Sequence, residues 1–189
     1  MLKQLFILLF ALITDPNKAW NRLAEKQEDR RNEDFYKSYL YPVVGLIALL
    51  SFTGTLFALG KFDVQIALKI VIKQIAVYFG GFYLASIVFS EWLFPRFKEG
   101  KDIHLCERFI GYSSALIYAV AMLKSLLDWP FLPLIVFYSI YMIWEGVVNY
   151  LKVEEENLVK CTLLSGIIVL FFPVALEFLI ERLLPNMKI

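Results

Sequence analysis

Residues 138–162 read YSIYMIWEGVVNYLKVEEENLVKCT. The stretch begins with an apolar run that contains one carboxylate, Glu145, and three consecutive glutamates follow this run at positions 154–156. An apolar run of this length is typical of a membrane helix, and the glutamates that follow have the polarity of a water-exposed boundary. The same alternation recurs along all 189 residues, of which 59% are hydrophobic. Soluble globular proteins average about 45–50% apolar residues. The composition therefore indicates a membrane protein.

Five segments are long and apolar enough to cross about 30 Å of hydrocarbon as helices. They cover residues 41–59, 70–93, 109–127, 131–150 and 159–179. The sequence thus predicts an all-α, polytopic membrane protein, with a bundle of five transmembrane helices in a domain that spans residues 41–189. Residues 1–40 are predicted to form a cytoplasmic or interfacial N-terminal arm with amphipathic helices.

The arm contains two candidate helices. Residues 1–13 are apolar but shorter than a span, and we expect an interfacial or re-entrant helix, with a full crossing as the alternative. Asp15 and Pro16 form a helix start, with a capping carboxylate before a proline at the first position. Trp20 and Leu23 share one face of the segment that follows, and charged residues occupy the other. We expect a surface helix whose Trp20 and Leu23 touch the membrane interface, with a charged linker as the alternative.

The distribution of positive charge predicts the orientation. Thirteen of the 19 Lys and Arg residues lie on the side of the N-terminal arm, and the other six lie on the opposite side of the five predicted spans. By the positive-inside rule, the N-terminus is cytoplasmic and the C-terminus is outside. In a prokaryote, this membrane would be the plasma (inner) membrane.

Small residues four positions apart mark faces where membrane helices approach closely. The second predicted span has Gly81 with Ala85, and the third has Gly111, Ala115 and Ala119. We interpret both faces as helix-packing surfaces rather than ligand sites.

Ionisable side chains inside the predicted spans are the candidate functional or structural polar residues. They are Glu145, Glu91, Lys73, Lys124 and Glu177. The last three lie near the predicted outer ends, so the sequence allows either lysine to pair with Glu177. A charge at the centre of a span costs about 2.5–3.5 kcal/mol on insertion scales, and less toward the ends.

Two interpretations of Glu145 stay open. The first is a structural carboxylate, hydrogen-bonded near the cytoplasmic boundary, with Asn149 one turn on and Arg108 or Lys152 on the same side. The second is a carboxylate that handles protons or ions in a polar cavity together with Glu91. Transporters usually hold such groups near the midplane in interrupted helices, which favours the first interpretation.

Motifs of nucleophilic, phosphate-binding and zinc chemistry do not occur in the sequence. His104 and Cys106 are two positions apart, a weak pattern that fits an amphipathic entry to the third span better than a thiol–imidazole pair. Two cysteines match no zinc spacing, and basic residues alternate with acidic ones, which argues against nucleic-acid binding. We predict no enzyme, no catalytic residue, no cofactor and no metal.

Four segments in order resemble the Yip family of five-span membrane proteins. They are DPNKAW (15–20), LYPVVGLIAL (40–49), GYSSALIYAV (111–120) and FYSIYMIWEGVVNYLKVEEENLVKCT (137–162). Members of that family interact with Rab-type GTPases and act in membrane traffic. The resemblance is closest to the prokaryotic branch, whose members mostly have no assigned activity.

The resemblance implies a non-enzymatic integral membrane protein that organises membrane or partner proteins. Its expected partners are the lipid bilayer and either a partner protein or a second copy of the chain. A small transporter or channel subunit that uses the intramembrane carboxylates is the alternative, and a membrane enzyme acting on lipids is the third reading.

Overall fold

A computed structural model describes residues 2–26, 35–58, 63–98, 102–127 and 129–183. These residues form helices and contain no strand. The helices are α1 (Leu2–Thr14), α2 (Pro16–Glu25), α3 (Tyr41–Ala58), α4 (Val64–Val88), α5 (Ile103–Ser113), α6 (Ala115–Lys124), α7 (Leu132–Ile135), α8 (Ser139–Gly146) and α9 (Leu158–Leu183). π-Helical turns cover Tyr36–Leu40, Phe89–Leu93 and Val147–Leu151, and 3₁₀ turns cover Phe94–Arg96, Val136–Tyr138 and Glu155–Asn157.

Aspartates cap the start of three helices. The Asp15 carboxylate accepts from the backbone N–H of Lys18 at the start of α2. Asp63 accepts from two backbone N–H groups of α4, and Asp102 accepts from the N–H of Leu105 in α5. Each cap satisfies donors that a helix start otherwise leaves without partners. The predicted helix start at Asp15 and Pro16 is confirmed.

Four continuous helical stretches are long and apolar enough to cross a membrane. They are Tyr36–Phe57, Val64–Arg96, Leu132–Leu151 and Glu155–Leu183. They correspond to the first, second, fourth and fifth predicted spans. The second and fifth extend beyond the predicted bounds at both ends, and the first begins at Tyr36, before its predicted start at residue 41. Residue 59, the predicted end of the first span, and residues 184–189, whose side of the membrane the charge count predicted, lie outside the described residues.

The third predicted span, 109–127, is not one continuous helix. It starts earlier, at Ile103, and a break at Ser114 divides it into α5 and α6, each shorter than a span. The Ser114 hydroxyl donates to the carbonyl oxygen of Ile110 at 2.9 Å, one turn back. A hydroxyl that bonds in this way bends a helix. Hydropathy alone did not show the break, because a serine pair barely lowers the mean of an apolar window.

The α5–α6 unit forms the centre of the molecule. Nearly every side chain from residue 105 to residue 122 is buried. In the most apolar part of the stretch Glu155–Leu183, by contrast, only 17% of the residues are buried. The uncovered face of α9 carries large apolar side chains such as Phe171, Val174 and Phe178. Membrane-spanning helices with exposed faces of this kind contact lipid, and the chain is an integral membrane protein.

The arm helices lie against the bundle. Helix α1 buries Leu5, Leu9 and Leu12, which share one face, and it contacts α2, α3 and α6. Helix α2 contacts α8 and the π turn that follows it. The arm is therefore packed on protein along the faces that its apolar periodicity defines.

Candidate functional site: the docked arm helix and Glu145

Trp20 anchors α2 to the fourth span. Its side chain is fully buried, and its indole N–H donates to the carbonyl oxygen of Met142 at 2.9 Å. The ring lies 5.2 Å from the ring of Tyr150 and 5.7 Å from that of Phe109, centroid to centroid. A buried indole needs a partner for its N–H, and this site supplies one. The prediction that Trp20 touches the membrane interface is therefore wrong, because protein covers the apolar face of α2.

Gly146 makes room for the Trp20 ring. A Cβ atom at this position would lie 2.7 Å and 2.8 Å from two indole carbons and 2.9 Å from a carbon of Phe109. These distances are shorter than van der Waals contact, so any larger residue forces the ring to move. The glycine that follows Glu145 in the sequence is thus required by the docking of a helix more than 120 positions earlier.

Glu145 bonds to the same arm helix. Its Oε2 atom accepts from the side-chain amide of Asn17 at 2.8 Å and from that of Asn149 at 3.0 Å. Asn17 comes from α2, and Asn149 lies one turn after Glu145 on its own helix. The predicted neighbour Asn149 is confirmed, and Asn17 is a partner that sequence reasoning missed.

An aromatic cluster surrounds this docking point. Successive ring contacts join Trp20, Phe35, Tyr39, Phe82, Phe89, Phe109, Tyr112 and Tyr150. The Phe35 ring packs against Gly111 so closely that a Cβ atom at position 111 would overlap it. The Tyr39 hydroxyl donates to the Gly111 carbonyl oxygen at 3.3 Å. The cluster thus connects α2 with three membrane helices and with α5.

The remaining predicted packing residues lie at helix contacts. A Cβ atom on Gly81 would lie 3.3 Å from Pro173 of α9, and Ala85 is buried on the same face. Ala115 is fully buried, and Ala119 is partly buried beside a groove that α1 borders. Leu23 is partly buried against the core.

The other predicted ionisable residues lie away from Glu145. The Lys73 ammonium lies 3.1 Å from a carboxylate oxygen of Glu177 and 2.5 Å from one of Glu181. The pairing of Lys73 with Glu177 was one of the two that the sequence allowed, and Glu181 was missed. Lys124 borders an apolar groove of about 390 Å³ together with Glu177. Glu91 lies on an exposed face of its π turn.

Neither a thiol–imidazole pair nor a metal cluster is formed by the described residues. Cys106 is fully buried, whereas the His104 ring nitrogen lies 3.4 Å from a carboxylate oxygen of Glu107. Across residues 2–26, 35–58, 63–98, 102–127 and 129–183, groups of three or more His, Cys, Asp or Glu with metal-site geometry are absent.

Comparison with known proteins gives a family. The profile described as the Yip1 domain matches residues 10–176, which is most of the chain. The chain belongs to the Yip1 domain family. No match was found among curated proteins or among solved structures.

The Yip1 domain match includes the arm as well as the membrane helices. Asn17, Trp20, Glu145 and Gly146 all fall inside it. The docked α2 helix is thus part of the Yip1 domain itself.

Proposed function

We propose that the protein is a non-enzymatic member of the Yip1 family that organises membrane or partner proteins through the docked arm. One observation carries this proposal. The strongest candidate for ion chemistry, Glu145, is hydrogen-bonded to Asn17 and Asn149 at a helix junction, beside a fully buried tryptophan. This arrangement suits a fixed joint between arm and membrane domain better than a carboxylate in a polar passage.

Two grooves lined by residues that the structure describes support the same proposal. Both are lined mainly by apolar side chains, one between α4, α6 and α9 and the other along α1 and α6. Apolar grooves on a membrane protein fit lipid chains or apolar helices of a partner. A transporter that uses Glu145, Glu91 and the Lys73 site would need a polar route between them, and an enzyme acting on lipids would need a reactive group beside such a groove.

The proposal includes a five-crossing topology in which α5 and α6 together form the third crossing. The ring of Phe109 in α5 contacts Phe89 at the end of the second span. At the other end of the unit, the Ser125 hydroxyl is 3.0 Å from that of Ser51, near the end of the first span. Residues 103–124 extend about 33 Å at 1.5 Å per residue, which matches the hydrocarbon thickness.

With five crossings, residues 1–40 form a cytoplasmic or interfacial arm and residues 41–189 the membrane domain, with the C-terminus outside. We place the prokaryotic form in the plasma membrane. Single cysteines in a background without Cys106 and Cys161 test the topology. Gln65→Cys and Trp129→Cys should react with an impermeant maleimide in intact cells, and Glu155→Cys only after lysis. Labelling of Trp129→Cys only after lysis would contradict a crossing by α5 and α6.

The organising role is tested by purification in native lipid discs and quantitative identification of the proteins retained. We expect a reproducible set that Trp20→Ala loses and Trp92→Ala keeps, because Trp92 is an exposed tryptophan outside the docking site. Flux assays in vesicles test the alternative. Proton or cation flux well above that of empty vesicles, abolished by Glu145→Gln, would overturn the proposal in favour of a transporter.

A further inference from the structure

A groove of about 900 Å³ runs along α1 and is bordered by residues of α2, α3 and α6. Its wall is apolar over most of its length, with contributions from Leu9, Leu50 and Met122. Phe6 and Phe10 line it while more than half of each side chain stays exposed, so the groove is open to the surrounding lipid. Its size lies within the range of about 300–1,000 Å³ that is typical of ligand pockets.

The polar border of the groove comes from the start of α2. Asp15, Lys18 and Arg22 are the charged residues that line it. Lys18 and Arg22 are four positions apart, so they share a face of the helix. The Lys18 ammonium lies 2.7 Å from the Asp15 carboxylate. Because this pair is neutral overall, Arg22 leaves the border with a net positive charge.

We propose that this groove binds an anionic glycerophospholipid, with the headgroup phosphate at Arg22 and Lys18 and an acyl chain along α1 and α6. The charge of the border complements a phosphate that carries no compensating ammonium group. The exposed position of both cations allows them to reach a headgroup while the apolar wall contacts the chain. A zwitterionic lipid presents its own cation beside the phosphate and gains less from the same border.

The length of the groove fits one leaflet. Helix α1 has 13 residues. At 1.5 Å per residue it extends about 20 Å, compared with about 15 Å for half of the hydrocarbon core. A chain whose headgroup lies at the start of α2 can therefore follow α1 through one leaflet.

The test is native mass spectrometry of the full chain released from nanodiscs that contain phosphatidylglycerol and phosphatidylcholine with identical acyl chains. We expect the wild type to retain phosphatidylglycerol in preference, by about fivefold for each cation that contacts the phosphate. Arg22→Gln should reduce the preference about fivefold, and Lys18→Gln by less, because Lys18 also bonds to Asp15. Lys26→Gln is the matched control, since it removes the same charge from the end of α2 but lies outside the groove.

The following outcomes would overturn the proposal. The first is equal retention of both lipids by the wild type, which needs no variant to fold. The second is an unchanged preference in the double variant Lys18→Gln and Arg22→Gln, or a loss as large in Lys26→Gln. Inorganic phosphate in excess distinguishes the source of the anion: the bound lipid should stay, and its displacement would indicate a site for free phosphate instead.

Discussion

The docking point of Trp20 and the Lys73 ion-pair site hold helices together in different ways. At the docking point, a fully buried ring fits against Gly146, and the atoms leave no space for a Cβ. At the ion-pair site, the Lys73 side chain is 12% exposed, and its partners Glu177 and Glu181 are 39% and 37% exposed. Close packing stabilises the docking point, and ion pairing stabilises the Lys73 site. We expect the docking point to tolerate no change in side-chain size. We expect the ion-pair site to tolerate changes in side-chain size but not in the sign of the charge.

Trp20→Ala should have the largest effect. It leaves a cavity between α2, α5 and the fourth span and removes the hydrogen bond to Met142, so we expect a loss of about 3–5 kcal/mol in the free energy of unfolding. Equilibrium unfolding in mixed micelles measures it. Trp92→Ala is the control, with an expected change within about 0.5 kcal/mol, because Trp92 is exposed. Equal effects of the two substitutions would show that the docking is not held by shape.

Gly146→Ala tests the same fit by adding an atom instead of removing a ring. The new methyl group would overlap Trp20 and Phe109, and we expect a loss of about 1–3 kcal/mol in unfolding free energy. Gly45→Ala is the matched control, since nothing lies within 4 Å of a Cβ at that position. It should be neutral or slightly stabilising, because alanine is the better helix former.

Lys73→Met breaks the ion-pair site. It keeps the length of the side chain but leaves Glu177 and Glu181 without their shared cation, and we expect a loss of about 1–2 kcal/mol. We place this value below the cost of breaking a fully buried pair because both carboxylates are more than a third exposed. Lys69→Met on the same helix, at an exposed position, is the control for the loss of one positive charge. A loss as large as that of Trp20→Ala would remove the contrast between the two regions.

Substitutions of Glu145 test how much hydrogen bonding, as distinct from shape, stabilises the docking site. Glu145→Gln keeps one acceptor for Asn17 and Asn149, and we expect a change near the average of about 0.6 kcal/mol for polar contacts between membrane helices. Glu145→Leu removes the acceptor and should cost more, about 1 kcal/mol, because the amides then bond to water or to nothing. Glu156→Gln in the exposed glutamate triplet is the control. In the same unfolding assay, the loss in free energy of unfolding should be largest for Glu145→Leu, smaller for Glu145→Gln and smallest for the control.

Asp15 should give the smallest effect, and one that depends on pH. Hydrogen bonds from Lys18 hold the pKa of the Asp15 carboxyl below its ordinary value of 3.8. A lowered pKa in the folded state adds stability above the ordinary pKa, and this contribution is lost as the pH falls through the lowered value. Asp15→Asn keeps a capping side chain and should abolish only this pH dependence, whereas Asp15→Ala should also weaken the start of α2. Helix content of the arm against pH, followed by circular dichroism, distinguishes them.

The sequence predicted the features that depend on composition and short spacing. Four spans, the helix start at Asp15 and Pro16, and the partner Asn149 follow from hydropathy, capping chemistry and helical periodicity. The break at Ser114 was not visible, since hydropathy averages over it. The position of Trp20 was not predictable either, because an amphipathic pattern shows which face is apolar but not whether lipid or protein covers it. Asn17 was missed for the same reason, as its partner is far along the chain.

The order of synthesis decides when the Trp20 contact can form. The hydrogen bond joins positions that are 122 residues apart. When α2 leaves the ribosome, neither Gly146 nor the carbonyl of Met142 has been synthesised, so the indole has no protein surface to enter. Docking of α2 therefore requires that the fourth span has been made. A helix near the N-terminus therefore reaches its final position only after about four-fifths of the chain has been made.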